Sequence, residues 1–306
     1  MNFVSRIGFF CVAAFFCAAA ALPSPEVVRP TGISDRKARE RKPPRATLVE
    51  PAAPNAVPTT SSGDVPSTRA ASVIVVDART GEVLYEKNPD EVRAAASTQK
   101  LLTALIVVES GFLDREVTVQ KVDTLAEPVR LNIKPGESYQ RIDLLRALLV
   151  KSPNDVARCL ARDNAGSVEA FAQVMNERAR RLGATNSHFL NPNGLPLPGQ
   201  YSTARDLSII ARAAYANPTI RSITCLQKYT FRFANGRTRE LENTNKVLKR
   251  LPYCNGLKTG YTEAAGHCLI ASGTRPGRDV IVVVLGDSKA GVWRDASALL
   301  SWGLWM

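Results

Sequence analysis

The chain has 306 residues, enough for one large domain or two small ones, and carries 40 Lys and Arg against 28 Asp and Glu, a formal net charge of +12. That surplus suits a polyanionic partner, but the first 22 residues send the chain out of the cytoplasm and remove nucleic acid from consideration. Two histidines are too few for the usual zinc-protease helix, no Gly-x-Ser-x-Gly elbow is present, and no metal or other cofactor is expected.

In chain order, Arg6 is followed by an apolar run, Ile7 to Leu22, that ends in small residues. A basic start, an apolar stretch and a small-residue end make an export signal. At 16 residues the run is slightly short for a bilayer span, which leaves a cleaved signal or a retained anchor. Phe15 and Phe16 ahead of Cys17 are too bulky for a lipoprotein cleavage site. Residues 23–69 hold nine prolines and the cluster "RPTGISDRKARERKPPR". Too little apolar surface is available there to offset ordering entropy, so the segment reads as a disordered tether. It is either a solvated linker or a patch for anionic lipid or wall polymer.

A single folded domain is expected over 70–306. "ASVIVVDARTGEVLYEKN" predicts two strands around Thr80 and Gly81. "ASTQKLLTALIVVESG" predicts a helix stopping at Gly111. "SYQRIDLLRALLVKSPNDVARCLARDNAG" predicts helical structure interrupted at Pro153, and "SVEAFAQVMNERARRLG" a helix stopping at Gly183. "STARDLSIIARAAYAN" opens with capping residues and ends before Pro218. "GHCLIASGT" and "RDVIVVVLGDS" predict strands joined by a turn, and a last helix spans about Gly291 to Leu304. Strands at both ends thus bracket a helical middle. The fold class is α+β: a mostly antiparallel sheet built from both ends of the domain, flanked by helices, with an inserted helical lobe. Of the four cysteines beyond the signal, Cys159 and Cys268 read as buried thiols, and Cys225 with Cys254 is the one plausible disulfide.

Ser97 and Lys100 lie three apart at a helix start, where Oγ and the amine share a face. Such a pair arises about once by chance in a chain this size. "KSPNDVA" then places Ser152 and Asn154 at a helix break, and "NGLKTGYT" places Lys258, Thr259 and Gly260 ahead of the β-rich run. Singly, these are a helix kink with a cap and a turn; together and in this order they form one constellation. A serine hydroxyl needs a neighbour to take its proton. Lys100 can do so only when neutral, a fall from about 10.4 towards 7 that needs about 4–5 kcal/mol of differential environment. Burial and a second ammonium, Lys258, are the available means. Lys258 itself is better used charged, drawing a carboxylate together with the Thr259 hydroxyl.

With "FLNPNGLP", "YSTARDLSIIARAAY", "ENTNKVL" and "AGHCLIAS", these motifs resemble the low-molecular-mass penicillin-binding proteins, the serine D-alanyl-D-alanine carboxypeptidases, over about Ala70 to Trp305. The resemblance implies a β-lactamase/transpeptidase-like fold and an acyl-enzyme on Ser97, with Lys100 as general base and Ser152 as proton relay. It implies further that Asn154, Lys258, Thr259 and Gly260 bind substrate, and that the N–H groups of Ser97 and Tyr261 hold the oxyanion. The implied partners are peptidoglycan stem peptides ending in D-Ala-D-Ala and β-lactams as covalent inhibitors, met in the periplasm or at the outer face of the cytoplasmic membrane. Many relatives carry a further all-β domain and a C-terminal amphipathic anchor; this chain ends at "LLSWGLWM", so any membrane association is expected from its N-terminal segment. Pro153 departs from the small or acidic residue more usual there and bears on the reach of Ser152. The alternatives are a D,D-endopeptidase; a β-lactamase, for which Glu169 lacks the expected Glu-x-x-Leu-Asn context; and an idle wall-binding protein, which would be expected to have lost Ser97 or Lys100. His188 and His267 read as structural.

Overall fold

A computed structural model describes residues 64–306. The expected export signal and most of the tether lie outside the described residues. Contacts begin slightly ahead of Ala70: Val65 packs on the core, and Thr68 Oγ1 and Arg69 N donate to Asp295 Oδ2 at 2.7 and 2.9 Å.

Strands β1 (Ser72–Asp77) and β2 (Val83–Lys87) form the expected hairpin, and a 3-10 turn (Ala96–Gln99) leads into α1 (Lys100–Glu109). A small hairpin, β3 (Glu116–Thr118) with β4 (Ser138–Gln140), precedes α2 (Arg141–Lys151), α3 (Asn154–Ala165) and α4 (Val168–Leu182). Then come α5 (Ala204–Ala216), α6 (Pro218–Thr224), the hairpin β5 (Lys228–Arg232) with β6 (Thr238–Glu242), and α7 (Val247–Arg250). The chain closes with β7 (Cys254–Thr262), β8 (Gly266–Arg275), β9 (Arg278–Asp287) and α8 (Gly291–Trp305).

The main sheet has the order β2-β1-β9-β8-β7, antiparallel throughout, and so joins both ends of the domain as expected. Its central strands are apolar at consecutive positions because both faces are covered. Ile74, Val76, Ile281 and Val283 face the helical lobe, while Val73, Val75, Val280 and Val282 pack against Leu299, Leu300 and Leu304 of α8. Each such side chain contributes about 1.5–3 kcal/mol on full burial. This sandwich fixes β7 at one edge of the sheet.

Helix ends follow their signals. Ser167 and Thr203 cap α4 and α5 by accepting Ala170 N and Asp206 N at 3.0 Å each, and Gly183 closes α4 at φ 94°. Asn217 then caps α6, with Pro218 in its first turn, where no N–H is needed.

Two expectations need correcting. Lys258–Gly260 is no turn: it lies inside β7, a strand hidden from pattern reading by two glycines and a buried lysine. The β5–β6 hairpin was likewise not anticipated. The Cys225–Cys254 pair does not form. All four described cysteines are free, with Cys225 exposed, Cys254 buried, and each thiol turned to a nearby carbonyl, of Ser222 and of Gly256.

Helices α2 and α3 are tied by Asp163, which accepts from Arg141 Nε at 2.9 Å and pairs with Arg115; the Arg141 and Asp163 side chains are both nearly inaccessible. Asp163→Ala leaves the Arg141 guanidinium buried without its counter-charge. We expect it to lose about 3–5 kcal/mol of unfolding free energy, measured as a lowered urea midpoint. Glu177→Ala, which breaks the exposed pair with Arg181, should change stability by about 0.5 kcal/mol or less.

Candidate active site

Three elements converge: the turn at Ala96–Gln99, the break between α2 and α3, and the edge strand β7. Ala96 has φ 48°, a left-handed conformation that is strained for a residue with a Cβ. It is held there by two glycines. A Cβ on Gly194 would fall 2.0 Å from Ala96 O, and one on Gly260 would fall 2.9 Å from Ser97 N and 3.1 Å from Thr98 N. Any side chain at either position would push the turn away, so Ser97 is clamped between the "NPNG" loop and β7.

Lys100 is fully buried one turn along. Its Nζ lies 2.7 Å from Ser97 Oγ, 2.8 Å from Asn154 Oδ1 and 2.6 Å from Asn193 O. Asn154 Nδ2 donates to Pro128 O at 2.9 Å, which fixes its oxygen towards the lysine. Two of the three neighbours therefore only accept. A neutral amine spends its two N–H bonds on Asn154 and Asn193, and its lone pair is left facing the Ser97 hydroxyl. Burial drives the Lys100 pKa well below the usual lysine range, and the nearby Lys258 charge adds to the effect; Asp155 opposes it.

Ser152 ends α2 in the left-handed region at φ 66°, directly before a proline, where helical backbone is disfavoured. Pro153 occupies the extended cap of α3, while Asn154 N donates to Val129 O at 2.8 Å. The proline is thus accommodated without displacing its neighbours. Ser152 Oγ is buried and has no hydrogen-bond partner among the described residues, although it lines the cleft.

Along β7, Lys258 is buried and donates from Nζ to Thr259 O at 3.0 Å; burial lowers its pKa to about 7. Thr259 Oγ1 donates to Thr244 Oγ1 at 2.6 Å, and Thr244 N donates to Val150 O at 3.1 Å. Thr244 therefore braces β7 against the end of α2. Tyr261 is 57 % exposed, and its ring stacks on His267 with centroids 4.3 Å apart.

All eight residues singled out in the sequence meet here. Ser97, Ser152, Asn154, Thr259, Gly260 and Tyr261 line one cleft of about 530 Å³, with Lys100 and Lys258 buried behind it. The motifs alone did not reveal Thr244 and Trp293, which line it, or Asn193, whose carbonyl holds Lys100 behind it, and His267, read as structural, also lines it. Asn193 and Thr244 stand in "FLNPNGLP" and "ENTNKVL", where an Asn-Gly step and an Asn-x-Asn pattern signal tight side-chain-to-backbone turns. His188 lies outside the cleft, with Nδ1 2.8 Å from Gly199 O. No cluster of metal-binding side chains occurs among the described residues.

Residues 59–289 match the family model for D-alanyl-D-alanine carboxypeptidases. The chain is 37% identical over 245 residues to the D-alanyl-D-alanine carboxypeptidase DacB2 of Mycobacterium tuberculosis, covering 78% of this chain and 84% of that one. It is 34% identical over 266 residues to a D-alanyl-D-alanine endopeptidase of Escherichia coli, covering 83% and 84%. The crystal structure of a D-alanyl-D-alanine carboxypeptidase from M. tuberculosis H37Rv superposes with a TM-score of 0.75 at 36% identity, over 81% of this chain and 96% of that one.

Because a like charge at Lys258 depresses Lys100, Lys258→Met should raise the Lys100 pKa. The NMR titration of the Lys100 Cε and Nζ resonances, wild type against variant, reads the shift. An unmoved Lys100 would leave burial as the sole cause.

Proposed function

Since the chain belongs to the D-alanyl-D-alanine carboxypeptidase family, we propose that it removes the terminal D-alanine from peptidoglycan stem peptides by a two-step acyl transfer through Ser97. The observation that carries this reading is the 2.7 Å contact between Lys100 Nζ and Ser97 Oγ, with two acceptor oxygens, of Asn154 and Asn193, placed to take both N–H bonds of a neutral amine.

Ser97 Oγ attacks the carbonyl of the penultimate D-alanine while its proton passes to the Lys100 lone pair. The oxyanion is received by the N–H groups of Ser97 and Tyr261. The proton taken up by Lys100 passes through the buried Ser152 hydroxyl to the departing nitrogen as the C–N bond breaks, and D-alanine leaves with Lys100 neutral again. Water then attacks the ester while its proton passes to Lys100; the acyl C–Oγ bond breaks, the peptide leaves as its free acid, and Lys100 returns the proton to Ser97 Oγ. The terminal carboxylate sits at Lys258 and Thr259, the latter braced by Thr244. Asn154 borders the peptide amide and also aims Lys100, because both ends of its carboxamide are already engaged. β-Lactams, whose strained amide presents the same carbonyl and carboxylate, acylate Ser97. The substrate lies outside the cytoplasmic membrane, and the export-type N-terminus directs the chain to the periplasm or the outer face of the cytoplasmic membrane. Among the described residues no helix is long and apolar enough to cross a membrane. The likeness to an endopeptidase supports a second bond, the D,D-peptide cross-link, for the same site.

Full-length wild type incubated with a fluorescent penicillin should retain label through denaturing electrophoresis and release D-alanine from a pentapeptide; Ser97→Ala should do neither. Label on Ser97→Ala would overturn the assignment, and rapid loss of free penicillin without label would mark a β-lactamase. The pH profile has a defined sign. Lys258 serves as a cation and its pKa lies at about 7, so its contribution is present below that pH and is lost above it. kcat/KM for a free-carboxylate substrate should therefore fall as pH rises beyond about 7.

A further inference from the structure

The carboxylate end of the cleft depends on a lysine whose charge burial has weakened. Lys258 is sequestered, hydrogen-bonded to the carbonyl of its own neighbour, and brought to about 7, so it is only partly charged when the cleft is empty. A second cation stands at the same end. Lys246 follows Thr244 by two residues, is exposed, and places its Nζ 5.6 Å from the centroid of the Trp293 ring, which itself lines the cleft. No carboxylate pairs with it among the described residues.

The base of Lys246 is rigid. Asn243 Nδ2 donates to Thr224 O and Leu226 O at 3.2 and 2.8 Å, Asn245 Nδ2 donates to Gly256 O at 2.9 Å, and Asn245 Oδ1 accepts Val247 N at 3.0 Å. The side chain, by contrast, is retained only by a cation–π contact, which at an exposed site is worth about 0.5–1 kcal/mol. A carboxylate can take the ammonium from the ring without breaking an ion pair.

We propose that Lys246, parked over Trp293, is a specificity residue that recruits the free carboxylate of the substrate to the Thr244–Thr259 end of the cleft. The proposal rests on the reading of this cleft as a D-Ala-D-Ala site. A solvated ammonium attracts the anion at distances of about 8–10 Å at moderate salt, and the buried Lys258 completes the binding once its charge is restored by the arriving carboxylate. Trp293 keeps the flexible lysine stem close to the cleft and supplies an apolar wall beside it.

The test compares an N-acylated peptide ending in D-Ala-D-Ala as its free acid and as its C-terminal amide, with full-length wild type, Lys246→Met and Lys246→Arg. Lys246→Met should lower kcat/KM on the free acid about tenfold, mainly through KM, and leave the amide unchanged within about twofold. Lys246→Arg should restore most of the loss. Added NaCl should depress the wild-type rate on the free acid more steeply than that of Lys246→Met. Equal losses on both peptides, or no loss on either, would overturn the role of Lys246 and leave the carboxypeptidase reading standing. A wild type that cleaves neither peptide overturns both.

Discussion

The site depends on keeping one amine out of water. Lys100 is fully enclosed, and an ammonium in such a place is costly unless every proton is bonded and a counter-charge stands close. Its surroundings meet the first condition and not the second. Asn154 and Asn193 offer carbonyl oxygens, which satisfy N–H bonds without stabilising a full positive charge as a carboxylate in direct contact would. Asp155, the nearby acid among the described residues, accepts from Leu131 N and Asn132 N at 3.0 and 2.8 Å. The environment therefore favours the neutral amine and orients it in the same act, since the acceptors take its hydrogens and leave the lone pair for Ser97.

That arrangement needs backbone that a relaxed chain would not adopt. Ala96 and Ser152 both sit at positive φ, the one just before Ser97 and the other just before Pro153. Each costs about 1–3 kcal/mol, and each persists because its neighbours leave no alternative. Gly194 and Gly260 press on Ala96 and Ser97, while Thr244 and Val129 hold the two flanks of the helix break. The sandwich of α8, sheet and helical lobe offsets the strain, and its placing of β7 beside the turn at Ala96 brings the three motifs within reach of one another.

Most of this could be read in the sequence where one rule acted alone. The helices of the lobe declared themselves by apolar spacing and caps, and the central strands by unbroken Val and Ile. The chemistry declared itself through motif order, because Ser97, Lys100, Ser152, Asn154 and the Lys-Thr-Gly run are chemically distinctive residues. Where two demands met, the pattern failed. β7 must pair with β8, approach Ser97 through Gly260 and bury Lys258, so it carries no alternation to recognise. Asn193 acts through its backbone carbonyl, which no side-chain motif encodes, and Thr244 matters only because Val150 and Thr259 arrive from opposite directions. The cysteine pair failed for a related reason: export permits a disulfide, but only the fold decides whether two thiols face each other.

Two buried lysines in one site raise a question of order. Lys258 lowers the Lys100 pKa only while Lys258 is charged, and the substrate carboxylate proposed to bind beside it would form a pair of nearly zero net charge. In the proposed acyl transfer, the help that Lys100 receives from Lys258 is therefore largely cancelled once substrate is bound. Burial does not vanish on binding; substrate filling the cleft excludes more water and strengthens it. The larger cause of the Lys100 shift is thus the one that survives into the complex, and the smaller one serves the empty site. This ordering gives the two lysines separable tasks. In the proposed mechanism, depth of burial sets the base, and charge at the cleft end, shared between Lys258 and the exposed Lys246, selects which peptides reach it.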